Sequence, residues 1–325
     1  MTLVLYAIQQ LVNALSIGSL YALMAIGLAM VFGILRLINF GHGDFMMVAA
    51  YVAAFALLAG WPLAVAVLTM IFATILVGVL AERVAYRPIR GAPDVAVLLT
   101  SFAVGQILQN AMLLITRFLR KPIQLAFPSP DILNGVIAFG SITVPKLNIV
   151  SLVVGVILLV LLSLFVTRTN LGISMRAAAE DLTAAQLVGI NLNRVVVAAF
   201  VIGSGLASVA GLLFAVQAGQ ISPFIGFTPV LKAFIAAVIG GFGSIAGAVV
   251  GGYVLGALEV ILTAIPGLGD IMPPGLASPE LIQFLKTWLP NSLSSYRDAF
   301  VFVGLILMLI FRPNGILGAV GEKEV

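Results

Sequence analysis

The sequence contains no cysteine, a single histidine and very little charge: of its 325 residues only 9% are Asp, Glu, Lys or Arg, against 62% hydrophobic. Each shortage closes a class of function. Without cysteine there are no disulfides, thiolate metal sites or cysteine nucleophiles, and a lone His42 leaves a zinc site without its usual ligands. No G-x-x-x-x-G-K-[ST] loop is present to cradle phosphate, and no Ser–His–acid set assembles around His42. The chain is therefore expected not to be an enzyme and to carry no cofactor; any ATP used in its work must be bound by another chain. The sixteen Lys and Arg give a net charge of +4 but lie scattered between apolar runs, without the basic stripe of a nucleic-acid binder. Lipid headgroups and partner loops are the expected counter-charges.

What is abundant is apolar sequence. A mean hydropathy of +1.22 leaves too little polar surface to cover a soluble globule, so lipid is the expected solvent. A spanning helix needs about 20 mainly apolar residues. Runs at 8–35, 45–60, 62–81, 94–116, 147–167, 194–218, 229–240, 244–264 and 298–312 predict an all-α integral membrane protein, one domain over 1–325, with about eight or nine transmembrane helices. Two runs, 45–60 and 229–240, are short. Short spans are tolerated at membrane depth only where protein or a water-filled cavity covers the freed backbone groups, and in transporters such breaks often border the substrate path.

Residues 1–35 contain no Lys or Arg, so the first run lacks the basic flank of a secretory signal and is expected to remain as a helix. Arg36 follows it, and Arg83, Arg87 and Arg90 cluster in a short loop. Positive flanks prefer the cytoplasm, which places 36–44, 82–93, 168–193, 241–243 and the C-terminal tail inside, and 117–146 and 265–297 outside. On that scheme the sixteen basic residues divide nine inside to seven outside, so the short-loop cluster carries more weight than the total.

Several polar groups interrupt the apolar pattern. Asn39, His42 and Asp44 sit at a Gly-rich break flanked by apolar helices; they read as a gate or pathway element, or as a cytoplasmic turn held by side-chain to backbone bonds. Gln106, Gln109 and Asn110 share one helix face by their spacing of three and four, which suits either a translocation path or hydrogen bonds to a neighbouring helix. Glu259 is expected to reach the interface, and Asp94 to cap the helix after Pro93. Gly243, Gly247 and Gly251 recur every fourth residue, as do Gly252 and Gly256, and such stripes let helix backbones approach closely. The break at 38–44 has an echo at 239–244, a faint internal repeat. Between two strong spans, 168–193 is the most polar long interruption and reads as a short surface helix broken near Gly189, serving as a docking element for a soluble partner or as an amphipathic connector.

Taken in order, Ile38-Asn39-Phe40-Gly41-His42-Gly43-Asp44-Phe45, Glu82-Arg83-Val84-Ala85-Tyr86-Arg87-Pro88, Arg176-Ala177-Ala178-Ala179-Glu180-Asp181 with Gly189-Ile190, Lys232-Ala233-Phe234 through Gly243-Ser244, and Arg312-Pro313-Asn314-Gly315-Ile316-Leu317-Gly318 resemble one family over nearly the whole chain. That family is the LivH-type permease of branched-chain amino acid ABC importers. The resemblance implies a bacterial inner-membrane subunit paired with a LivM-type permease, docked by two cytoplasmic ATPase subunits, and fed by a periplasmic binding protein. It also makes 176–190 the coupling helix, with Arg176, Ala179, Glu180, Asp181 and Gly189 at the ATPase contact. The order here is Ala178-Ala179-Glu180, with Gly189 nine residues on, whereas the broader importer pattern runs Glu-Ala-Ala before a glycine, so the contact is placed by position. The rival classes are an ion-coupled secondary transporter, which usually needs a buried ionisable residue, and a passive channel, which needs no surface helix of this kind.

Overall fold

The computed structural model describes residues 3–35, 39–139, 142–271, 278–287 and 296–317. Arg36, Ile38 and Lys323 fall outside these, as do parts of the expected outer segment 265–297. Helix α1 (Leu3–Leu35) is followed by α2 (His42–Leu58), α3 (Leu63–Ala81), α4 (Asp94–Phe118), α5 (Lys146–Arg168), α6 (Asn170–Glu180), α7 (Leu182–Leu187) and α8 (Leu192–Ala218). Then come α9 (Phe227–Gly240), α10 (Ile245–Ile271), α11 (Pro279–Thr287) and α12 (Arg297–Phe311). Among the described residues six segments are long and apolar enough to cross a membrane: 3–34, 63–89, 94–118, 146–168, 192–218 and 245–265. The two expected short spans are short here too, 17 residues in α2 and 14 in α9.

Helix α1 is the axis of the bundle. It is buried on every side from Gly18 to Val31, as a helix that is apolar all round must be, with α5, α8, α9 and α10 around it. Its tightest neighbour is α10, which uses two separate small-residue edges. A Cβ on Gly252 would collide with Ala22 of α1 and one on Gly256 with Gly18, whereas Gly247 and Gly251 press against Gly240 and Ala236 of α9. Gly243 does not belong to this stripe: α10 begins at Ile245, and Gly243 sits in the preceding turn at φ +84. A turn of that hand suits glycine, and the turn packs against Gly33 of α1 rather than along the α10 stripe.

Around this centre, α3, α4 and α5 form the rim. α3 and α5 show the outside aliphatic and aromatic side chains such as Leu68, Phe72, Leu76, Val156, Ile157 and Leu161. α3 runs on through a π-turn at Glu82–Tyr86 and a 3-10 turn at Arg87–Ile89, so the basic cluster 83–90 is helical and not an open loop. At the start of α4 the expected cap is absent: Pro93 occupies the cap position, without a side-chain acceptor, and Asp94 is the first helical residue. Its carboxylate faces the helix dipole from the first turn instead. Two short antiparallel ribbons complete the described chain, β1 (Leu125–Ala126) with β4 (Gln220–Ile221), and β2 (Val136–Phe139) with β3 (Ile142–Pro145).

Candidate functional site

The break between α1 and α2 lies inside the protein. Asn39, His42 and Asp44 are all buried, and the level at which they sit follows from their partners. Gln109 Nε2 donates to Asp44 Oδ1 at 2.8 Å, and a Cβ on Gly105 would strike the same carboxylate. Gly105 is eleven residues into the 25-residue α4, about 16 Å along it at the α-helical rise. Asp44 therefore stands level with the middle of a spanning helix. A turn held only by local side-chain to backbone bonds does not describe this break: its side chains reach α3 and α4.

The three residues part company. The Tyr86 hydroxyl donates to Asn39 Oδ1 at 2.6 Å, and the Phe40 N–H to Ser101 Oγ at 3.3 Å, tying the turn to the end of α3 and to α4. His42 and Asp44 are two residues apart on one helix, so they point to nearly opposite sides. The imidazole lies against Gly27 of α1, which in turn faces Gly203 of α8. Asn39 Nδ2 and His42 Nε2 have no hydrogen-bond partner among the described residues. Buried polar atoms usually find one.

On α4, Gln109 is buried while Gln106 and Asn110 are exposed. Gln106 Nε2 donates to Gln109 Oε1 at 3.3 Å, and Asn110 Nδ2 to the Gln106 carbonyl at 2.7 Å. The expected stripe thus becomes a hydrogen-bonded chain, from buried Asp44 through Gln109 to Gln106 on the outer face of α4. The start of α2 is packed as closely on another side: a Cβ on Gly43 would collide with the Gly226 carbonyl at the start of α9, so the two short helices meet at their N-terminal ends.

The polar interruption 168–193 folds as two helices. It breaks at Asp181 as well as at Gly189. Asp181 is extended (φ −148°) and caps α7, its Oδ1 accepting from Thr183 N at 2.7 Å and Ala184 N at 2.9 Å. Gly189 takes φ +85 before α8. Gly172, Met175, Ala178 and Ala185 anchor the pair inward, while Arg176, Glu180 and Asp181 are exposed and Ala179 is half-buried. The corner between α7 and α8 exposes Leu187 at 84% and Val188 at 77%, an apolar tip on an otherwise polar segment. Behind it, Arg90 pairs with buried Glu82 and donates to Asn193 Oδ1 at 2.6 Å. A cavity of about 870 Å³ between Leu182, Gln186, Tyr86 and Leu98 separates the segment from the break.

Glu259 does not reach the interface. It is 97% shielded in the middle of α10, with Lys232 Nζ of α9 2.6 Å from Oε1 and the Tyr21 hydroxyl of α1 donating to Oε2 at 2.8 Å. Lys232, within the expected short span 229–240, is buried with it. At membrane depth an unpaired charge is expensive, and pairing within the bundle removes the need to reach water.

Over residues 10–311 the chain matches the family described as branched-chain amino acid transport system / permease component. The chain belongs to this permease family. It is 38% identical over 327 residues to the high-affinity branched-chain amino acid transport system permease protein BraD of Pseudomonas aeruginosa, covering 98% of each chain. It is 37% identical over 336 residues to the LivH protein of the same description from Escherichia coli, covering 99% of this chain and 98% of that one. A probable LivH permease of Methanocaldococcus jannaschii is 27% identical over 316 residues, 96% of this chain and 92% of the relative. No solved structure matches at a significant level. A permease of this family is a multi-pass membrane protein and a transport component, not an enzyme.

The pattern of residues does not reveal the partners Tyr86 and Ser101 that hold the break, the partners Tyr21 and Lys232 that hold Glu259, or the apolar tip Leu187–Val188. Of these only the tip carries a signal, two consecutive large apolar residues just before Gly189 in a polar segment. The others are isolated polar residues in apolar helices, whose pairing depends on how helices far apart in sequence are set against each other.

Proposed function

We propose that this permease is the membrane subunit of an ABC importer that carries branched-chain or closely related amino acids across a bacterial inner membrane, powered by ATP bound to separate subunits. Membership of the permease family over nearly the full chain carries this reading. The partners are those of such an importer: a second, LivM-type permease, two cytoplasmic ATPase subunits and a periplasmic binding protein.

In this reading the segment α6–α7 is the coupling element. Arg176, Glu180 and Asp181 present polar contacts and Leu187 and Val188 an apolar knob to the ATPase, with Ala179 packed beneath and Gly189 allowing the chain to turn back into α8. Movement there reaches the break through Asn193, Arg90 and Glu82 at the foot of α3, and thence through Tyr86 to Asn39. A partner can drive such a switch only by binding its two states unequally. The path for substrate runs along the outward face of α4, against the second permease. Gln106 and Asn110 stand about 18 and 24 Å along that helix, where an amide facing lipid is costly, whereas the exposed side chains of α3, and of α5 from Val153 to Leu161, are all apolar. Gln109 and Asp44 form the inner wall, and Asn39 and His42, each with an orphaned nitrogen, belong to the element that moves.

Ion-coupled transport keeps one observation in its favour, the buried Glu259, yet that carboxylate is already neutralised by Lys232. The test is ATP hydrolysis by proteoliposomes holding this chain with its permease partner and ATPases. Leucine-loaded binding protein stimulates it, and replacing Leu187 and Val188 by Asp abolishes the stimulation without lowering the melting temperature, since exposed substitutions shift stability by about 0.5 kcal/mol or less. Uptake that continues without ATP and collapses with the proton gradient would favour the ion-coupled reading.

A further inference from the structure

The charged cluster around Lys232 has no part in the path or the coupling segment, and it ties four helices together. Lys232 Nζ of α9 lies 2.6 Å from Glu259 Oε1 of α10 and 3.2 Å from Asp298 Oδ1 of α12, and donates to the Tyr21 hydroxyl of α1 at 3.3 Å. Arg297 faces both carboxylates, at 4.0 Å from Glu259 and 3.6 Å from Asp298. Two positive and two negative groups make the cluster neutral. Asp298 and Arg297 are partly exposed at its edge, while Lys232 and Glu259 are shut away from solvent.

A second, independent hold acts on the same short helix at its other end. The last carbonyls of any α-helix lack partners within it; for α9 they are supplied from the segment after α12. Ile316 N donates to the Ile239 carbonyl at 2.9 Å and Leu317 N to the Gly240 carbonyl at 2.8 Å. Glu259 and Tyr21 share the first hold, but one stretch of chain, 297–317, takes part in both, with Asp298 at its start and Ile316 and Leu317 at its end. Helix α9 needs such fixing. It is only 14 residues long, it begins beside Gly226 and ends at Gly240 and Gly241, and its first turn bears on Gly43 in the break.

We propose that Lys232 is the positioning residue of α9, and that 297–317 is a clasp that makes α9 and α12 one rigid body. The clasp sets the angle at which α9 meets the break, so Lys232 acts on transport without touching substrate. This rests on the permease reading for its transport readout, but the position of α9 can be read without transport.

The chain has no cysteine, so a single Thr228→Cys, on the exposed first turn of α9, is a unique thiol reporter in the purified full chain, and in the complete importer its labelling is read on the band of this subunit. Lys232→Met is expected to change the labelling rate of that thiol by a methanethiosulfonate reagent at least threefold and to lower ATP-driven uptake at least tenfold with the complex assembled. Lys232→Arg, which keeps the charge, is expected to stay within threefold of the parent in both. If Lys232→Met does not assemble, Asp298→Asn decides, with about a threefold change in labelling expected. Parental labelling and uptake in Lys232→Met, or parental labelling in Asp298→Asn, overturns the proposal, as does Lys232→Arg losing uptake as fully as Lys232→Met. A parent importer that transports nothing with ATP overturns the permease reading instead, and leaves the labelling result to judge the clasp.

Discussion

Two polar regions lie buried in this apolar bundle, and they are built on opposite plans. Around Lys232 every charge faces an opposite charge, and the groups come from α1, α9, α10 and α12. Around the break, Asp44 has a neutral partner in Gln109, Asn39 is held through one oxygen by Tyr86, and two nitrogens have no partner among the described residues. A closed set of paired charges is rigid: breaking it by removing one member is costly, because the other is left alone in low dielectric. A set held by single hydrogen bonds, with two nitrogens unpartnered, has less to lose when its geometry changes. In the proposed reading the first region is fixed framework and the second the moving or wetted element, and their point of contact is α9, which carries Lys232 and touches Gly43.

Substitutions rank along that contrast. Glu259→Leu leaves buried Lys232 with only the half-exposed Asp298 as counter-charge and is expected to cost about 3 kcal/mol, read as a large fall in melting temperature; a small loss would mean that the cluster is loosely held and would erase the distinction. Gln109→Leu strands only Asp44 and is expected to cost about 1–3 kcal/mol, with Asp44→Asn milder because an amide can still accept from Gln109. Gln106→Leu, on the exposed face of α4, is expected to leave stability within about 0.5 kcal/mol and yet reduce uptake severalfold. If Gln106→Leu is silent in transport while Glu259→Leu and Gln109→Leu cost the same stability, the two regions are not different in kind.

Much of this was legible in the sequence, and the limits have physical causes. Six of the nine expected spans follow from hydropathy because lipid demands long apolar helices, while 45–60, 229–240 and 298–312 form the shorter helices α2, α9 and α12. The stripe Gln106–Gln109–Asn110 is readable because helical periodicity is local. The grouping of Asn39, His42 and Asp44 was only half right: once α2 starts at His42, periodicity itself sends His42 toward α1 and α8 and Asp44 toward α4. Glu259 was misplaced because long acidic side chains near span ends commonly reach water, and its partner lies 27 residues away on another helix. Gly243 joined a stripe by spacing alone, which cannot tell a helix face from a turn. Asp181 was legible as a helix cap by type, an acidic residue before Thr183 and Ala184, but only if the helix boundary is known.

The central claim is that the outward face of α4 borders a water-filled path and the outward face of α5 borders lipid. Since the chain carries no native thiol, one cysteine at Gln106 and another, in a separate variant, at Ile157 can be compared directly for reaction with a small charged thiol reagent in the assembled importer. The account predicts fast labelling at 106, slowed by substrate-loaded binding protein with ATP, and no labelling at 157. Equal protection of both positions, in an importer that transports, would contradict it.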